Sequence, residues 1–186
     1  QRAQDRALQT TLPGRVRAFQ MAEVRPQVGG IIQKQLFTEG ALVRQGQALY
    51  QIDATLLQAN LSSAQAALAK AQASFERQQL QAQRSAQLVK IAAISAQQDE
   101  DTQAAARIAQ AEVQAARASV QVAQTNLRYA RIEAPIAGRI SLSNVTPGAL
   151  VTANQSTALT EVVQIDPMYV DFTQSTAQLL QLQRDW

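Results

Sequence analysis

As a pattern of apolar and polar positions, the chain changes period twice. Residues 11–53 and 127–173 carry short apolar runs rich in Val and Ile, broken by Gly and Pro. Such runs between turn residues predict short strands. Residues 54–131 contain neither Gly nor Pro and are dominated by Ala, Gln, Leu and Arg, most of them strong helix formers. The predicted order is therefore β, long α, β.

Within the middle stretch, Leu57, Leu61, Ala64, Leu68, Ala71, Phe75, Gln78, Ala82, Ser85 and Val89 recur in alternating steps of four and three, the spacing of a coiled-coil seam. Asp53 stands before it as the expected N-cap. The pattern weakens over Ile91–Ile94 and restarts at Ser95-Ala-Gln-Gln98, which predicts a capping box: the Ser oxygen accepts the Gln98 N–H and the Gln side chain returns the bond. Asp99, Glu100 and Asp101 follow, where a helix dipole favours acids. A second seam then reads Ala104, Ile108, Ala111, Ala115, Ala118, Val122, Thr125 and Tyr129. A further stripe, Ala109, Val113, Ala116, Val120, Ala123 and Leu127, lies on nearly the opposite side of the same helix. One stripe can face the first helix; the other is left to solvent or to a neighbour such as a second hairpin. The predicted element is an antiparallel coiled-coil hairpin over 54–131, with its tip at about 91–96 and arms of roughly 50–57 Å at 1.5 Å per residue.

The strand-rich parts resemble each other. Pro26-Gln-Val-Gly29, Glu39-Gly40-Ala-Leu-Val43, Gly46 and Leu49 are answered in order by Pro135-Ile-Ala-Gly138, Pro147-Gly148-Ala-Leu-Val151, Asn154 and Leu159, and both parts reach Gln-Ile-Asp, at 51–53 and 164–166. Gly40, Gly46, Gly138 and Gly148 are the candidate structural turns. Pro147-Gly148 suits a type II turn, and Asn154 substitutes for Gly in a left-handed conformation. Each half is too small for its own core, so the two are expected to pair face to face as one β-sandwich of 24–53 and 132–166.

Composition narrows the function classes. Hydrophobic residues make up 46% of the 186, aromatics 4%, which suits helix seams and small sheets rather than one thick core. The net charge of +3 comes without a basic cluster interleaved with aromatics, so no nucleic-acid partner is expected. With no Cys and no His, disulfides, thiol nucleophiles, His-based catalysis and the usual zinc ligand sets are excluded. The one dense acid cluster, 99–101, is accounted for by the helix start. No apolar run approaches the roughly 18 residues that span a bilayer; a secretory signal, if the protein carries one, is expected upstream of Gln1.

The spacing Gly-x-x-Val-x-x-Gly-x-x-Leu at 40–49 resembles the half-motif of biotinyl/lipoyl domains. Carrier versions bear their cofactor on a Lys in the turn between halves; here the hairpin replaces that turn, and Lys34, Lys70 and Lys90 lie elsewhere, so no cofactor is expected. With the hairpin included, AEVRPQVGGII (22–32), LYQID (49–53), NLRYARIEAPIAGRI (126–140), NVTPGALV (144–151) and QIDPMYVDFTQS (164–175) are similar to the periplasmic adaptors, or membrane fusion proteins, of tripartite RND multidrug efflux pumps of the AcrA/MexA type. The resemblance implies a non-enzymatic adaptor that joins an inner-membrane RND transporter to a TolC-like outer-membrane channel and assembles with itself as a hexamer or trimer of dimers. It implies a periplasmic location, anchored to the inner membrane through an N-terminal lipid absent from this chain. It also implies that channel binding at the hairpin tip falls on Arg84, Leu88 and Ser95, which match the family spacing. Residues 1–23 and 167–186 would then form part of an incomplete β-barrel domain, with Ser175-Thr-Ala-Gln178 opening a helix through Leu179, Leu180 and Leu182. An adaptor of an ABC-type exporter or type I secretion system is the alternative.

Overall fold

A computed structural model describes residues 14–18, 20–165 and 168–172. Among the described residues it is a mixed α and β fold in which two long helices follow five strands and precede five more. In chain order these are β1 (Gly14–Ala18), β2 (Met21–Val24), β3 (Gly30–Gln35), β4 (Leu42–Val43), β5 (Ala48–Ile52), α1 (Thr55–Lys90), α2 (Ala96–Tyr129), β6 (Arg131–Glu133), β7 (Gly138–Ile140), β8 (Leu150–Val151), β9 (Thr160–Val163) and β10 (Met168–Phe172). β1 and β10 form a separate antiparallel pair. β2 begins at Met21 and pairs with β9, so 21–23, expected with the barrel segment, join a sheet with the strands around the hairpin base. The capping box at 175–178 and its helix lie outside the described residues.

Strand pairing differs from the face-to-face docking of two halves. Each four-stranded sheet draws two strands from either side of the helices, in the orders β2-β9-β7-β4 and β6-β5-β3-β8. The halves interleave, and they do so with a constant offset of 108 residues. Leu42 lies opposite Arg139 while Ile31 lies opposite Leu150. The Gly40 N–H donates to the Ile140 carbonyl at 3.0 Å and the Gly148 N–H to the Ile32 carbonyl at 2.7 Å; the Gly46 N–H donates to Ala134 at 2.9 Å and the Asn154 N–H to Pro26 at 2.8 Å. This register pairs Gly30 with Gly138 and Pro26 with Ala134, one residue away from the Pro26/Pro135 and Gly29/Gly138 alignment that the letters suggest. Strands of two to six residues cannot satisfy their edges within one half, so each half completes the other.

The core is shared between the halves: Val24, Ile32 and Val43 pack with Ile132, Ile140 and Val151, their equivalents, around Leu49, Tyr50, Ile52, Leu159 and Val162. The buried Tyr50 hydroxyl reaches Ser143 Oγ at 2.5 Å, and its ring meets Phe37 edge-on at 5.2 Å. Burial raises the Tyr50 pKa, the largest influence, against the lowering hydrogen bond from Ser143.

The helices pack on each other along their length, and α2 runs directly into β6. In α1, every residue of the predicted seam from Leu57 to Val89 is buried or half-buried. Its start differs in detail from expectation: the N-cap is Ala54, without a side-chain bond, while Asp53 Oδ1 accepts both the Thr55 N–H at 3.0 Å and the Thr55 hydroxyl at 2.7 Å. Those bonds hold the Asp53 carboxyl below its usual pKa, the backbone bond first. In α2, where two stripes were left to compete, the one through Ala109 is the more buried, although Ala104, Thr125 and Tyr129 of the other are half-buried. Ala109 and Val113 are buried and Ala116, Val120, Ala123 and Leu127 half-buried, whereas Ala111, Ala115 and Ala118 are exposed, with Ile108 62% and Val122 61% exposed.

Candidate partner-binding site at the hairpin tip

The tip is built by two capping motifs meeting in a short turn. At the end of α1, the Ala93 N–H reaches the Leu88 carbonyl at 3.0 Å and the Ala92 N–H the Val89 carbonyl at 3.1 Å, with Ala92 left-handed at φ 56°. This is the Schellman arrangement, with Ala where Gly is usual. At the start of α2, Ser95 Oγ accepts the Gln98 N–H at 3.1 Å and Gln98 Oε1 accepts the Ser95 N–H at 3.1 Å, the capping box anticipated from the sequence. Each helix end at the tip therefore has part of its otherwise unpaired backbone satisfied by its cap.

Side chains on the inner face set what the outer face presents. Ala82, Ser85 and Val89 turn towards α2. Arg84 and Leu88, one helical turn apart, consequently face outwards; Arg84 is exposed and Leu88 is 42% exposed. Ser95 is also exposed, its hydroxyl and N–H engaged in the cap. Arg84 and Leu88 share one stretch of α1, and Ser95 stands across the turn. Ile91, at the C-cap, is 74% exposed and adds apolar surface at the apex.

Two residues that sequence reasoning passed over belong to the same outer face. Arg77 and Leu80 line a shallow groove along α1 together with Ala73, Glu76, Gln81 and Arg84. Leu80 is an exposed large apolar residue. The available signal was the seven-residue spacing of Arg77 and Arg84, with an off-seam leucine between them. An arginine beside exposed leucine offers charge-assisted hydrogen bonds and a hydrophobic anchor at once.

The candidate turn glycines lie far from the tip. Gly40, Gly46 and Gly148 have φ of 75°, 77° and 94°, and Asn154 has 54°. Gly138 is different: it opens strand β7, and an added Cβ would stand 2.3 Å from the Val163 carbonyl oxygen. It serves close approach of two strands rather than a turn. Among the described residues, no cluster of three or more His, Cys, Asp or Glu could hold a metal, and no helix is long and apolar enough to cross a membrane.

Residues 20–165 match the family described as RND MFP, barrel-sandwich hybrid domain. Among curated relatives, the multidrug resistance protein MexA of Pseudomonas aeruginosa is 49% identical over 98% of this chain and 44% of its own length. The multidrug export protein AcrE of Escherichia coli is 48% identical over 95% of this chain and 46% of its own. The antibiotic efflux pump periplasmic linker protein ArpA of Pseudomonas putida is 47% identical over 96% and 44%. The chain thus spans less than half the length of these relatives. In structure it is similar to MacA of Actinobacillus actinomycetemcomitans, with a TM-score of 0.76 at 25% identity over 90% of this chain and 56% of that one.

Proposed function

Because the chain belongs to the RND membrane fusion protein family, through its barrel-sandwich hybrid domain, we propose that it acts as part of a periplasmic adaptor for multidrug efflux. It links an inner-membrane RND transporter to a TolC-like outer-membrane channel. The alternative of an ABC-type exporter or type I secretion partner finds no support in the relatives, which are named as multidrug, antibiotic and solvent efflux components.

The observation that carries the reading is the stiff hairpin of 36- and 34-residue helices with an apolar and basic outer face at its tip. The interleaved strands β2–β5 and β6–β9 act as the lipoyl-like sandwich that clamps the base. Strands β1 and β10 belong to an adjoining barrel domain. The adaptor works by bridging and needs no catalysis or cofactor. Arg84 and Leu88 dock against the channel, with Arg84 bonding to its carbonyls or carboxylates and Leu88 filling an apolar recess. Ser95 contacts the channel while capping α2. Several copies, as a hexamer or trimer of dimers, surround the export path, and the whole protein sits in the periplasm, tethered to the inner membrane by an N-terminal lipid.

The test is Leu88→Asp in the full-length adaptor. Placing a carboxylate at a desolvated contact costs several kcal/mol, about 3 or more. The variant should keep wild-type helicity and fail to capture a TolC-like channel; capture at full strength would refute the tip as the docking site.

A further inference from the structure

The inner face of the hairpin carries a polar cluster close to the tip. Ser85, 6% exposed, donates its hydroxyl to Asp99 Oδ1 at 2.8 Å. Gln103 donates its amide to the same Oδ1 at 3.2 Å and to the Ala82 carbonyl at 2.9 Å. The three residues join α1 to α2 by side-chain hydrogen bonds in a seam that is otherwise mostly apolar, Gln78 being the other polar position of the α1 seam.

The apolar residues alone leave the packing of α2 undecided. Ala109, Val113, Ala116, Val120, Ala123 and Leu127 form one stripe; Ala104, Ile108, Ala111, Ala115, Ala118 and Val122 form another of similar size. Only the first faces α1. On an α-helix, Asp99, Gln103 and Ala106 lie on the same side as Ala109 and Val113, because steps of three and four residues stay on one face. Turning the other stripe inwards would carry Asp99 and Gln103 away from α1 and leave the Ser85 hydroxyl buried without its acceptor, which is unfavourable. A polar contact in a mostly apolar seam is a known way to specify one helix arrangement among several.

We propose that Ser85, Asp99 and Gln103 are positioning residues that select which face of α2 meets α1. By fixing the rotation of both helices at the tip, they hold Arg84 and Leu88 on the outer surface and the Ile108–Val122 stripe outside the seam. The inference rests on the adaptor reading only for what the outer surface binds; face selection is measured without any partner, so either can fail alone.

The absence of native cysteine makes thiol labelling a clean probe. In the full chain, Val113→Cys, at a 5% exposed position, should react with a maleimide at least tenfold more slowly than Ile108→Cys. In a Ser85→Ala/Asp99→Ala/Gln103→Ala background of unchanged helicity, this contrast should collapse or invert. Asp99→Asn, which keeps the acceptor oxygen, should preserve it. Persistence of the tenfold contrast in the folded triple variant would overturn the proposal. If the triple variant fails to fold, Ser85→Ala alone decides: it should raise labelling at Val113→Cys severalfold above the Asp99→Asn background, and equal protection in the two would overturn face selection.

Discussion

Asp53 shows how a single residue can act without occupying the place assigned to it. The sequence marked it as the N-cap of α1; the cap is Ala54, yet the Asp53 carboxylate takes the Thr55 N–H and hydroxyl. Its pKa is lowered by those bonds, so its contribution to stability is present above the unfolded value of 3.8 and lost as pH falls through the still lower folded value. Asp53→Ala should therefore flatten the acid limb of a urea-unfolding series below about pH 4, and an unchanged slope would contradict the bond. Ala92 is the opposite kind of residue, one held against its preference. Ala92→Gly relieves the left-handed conformation and should stabilise the hairpin by about 1 kcal/mol, read as a raised unfolding midpoint. Two glycines separate strain from collision. Gly40→Ala meets open space at a φ of 75° and should cost about 1 kcal/mol. Gly138→Ala drives a Cβ into the Val163 carbonyl and should cost about 2–3 kcal/mol.

Among the elements, α1 was legible down to its seam, whereas α2 was legible as a capped helix but not in the face it buries, for a physical reason. The α1 seam contains Leu61, Leu68 and Phe75, and no second stripe of comparable size competes with it over the same length. In α2, two stripes of Ala with scattered Val, Ile and Leu are nearly equivalent, and periodicity cannot choose between them. The choice is made by Asp99 and Gln103, whose role was hidden because acids in a first turn are already explained by the helix dipole. The packing makes an asymmetric prediction. Val113→Asp buries a charge without a partner and should cost about 3 kcal/mol or more. Ile108→Asp, on the exposed stripe, should stay within about 0.5 kcal/mol. Circular dichroism melts of the two variants check the order, and equal loss would return the seam to the stripe first read from the sequence.

For the whole molecule, the internal repeat was legible as a repeat but not as a topology. Recurring GALV and the positive-φ positions announced two similar halves, and the hydrogen bonds at the 108-residue offset bear that similarity out. What the letters could not convey is that the halves exchange strands, because pairing partners more than ninety residues apart, such as Leu42 and Arg139, leave no local signal. Interleaving has a mechanical consequence. The two roots of the hairpin, after β5 and before β6, leave from neighbouring strands of one sheet, so the helices start side by side and project as one rod. The tip residues Arg84, Leu88 and Ser95 were read from family spacing, and their outward placement now follows from the seam behind them. Arg77 and Leu80 were not, since an exposed groove along one helix has no signature beyond off-seam leucine.

The most direct measurement of the bridging role is photo-crosslinking in cells from a benzophenone amino acid placed either at position 88 or at position 56, an exposed leucine at the hairpin base. An adduct with the outer-membrane channel from position 88 and none from 56 is the predicted result. An adduct from 56 alone, or none from 88 in the presence of the channel, would contradict docking through the tip.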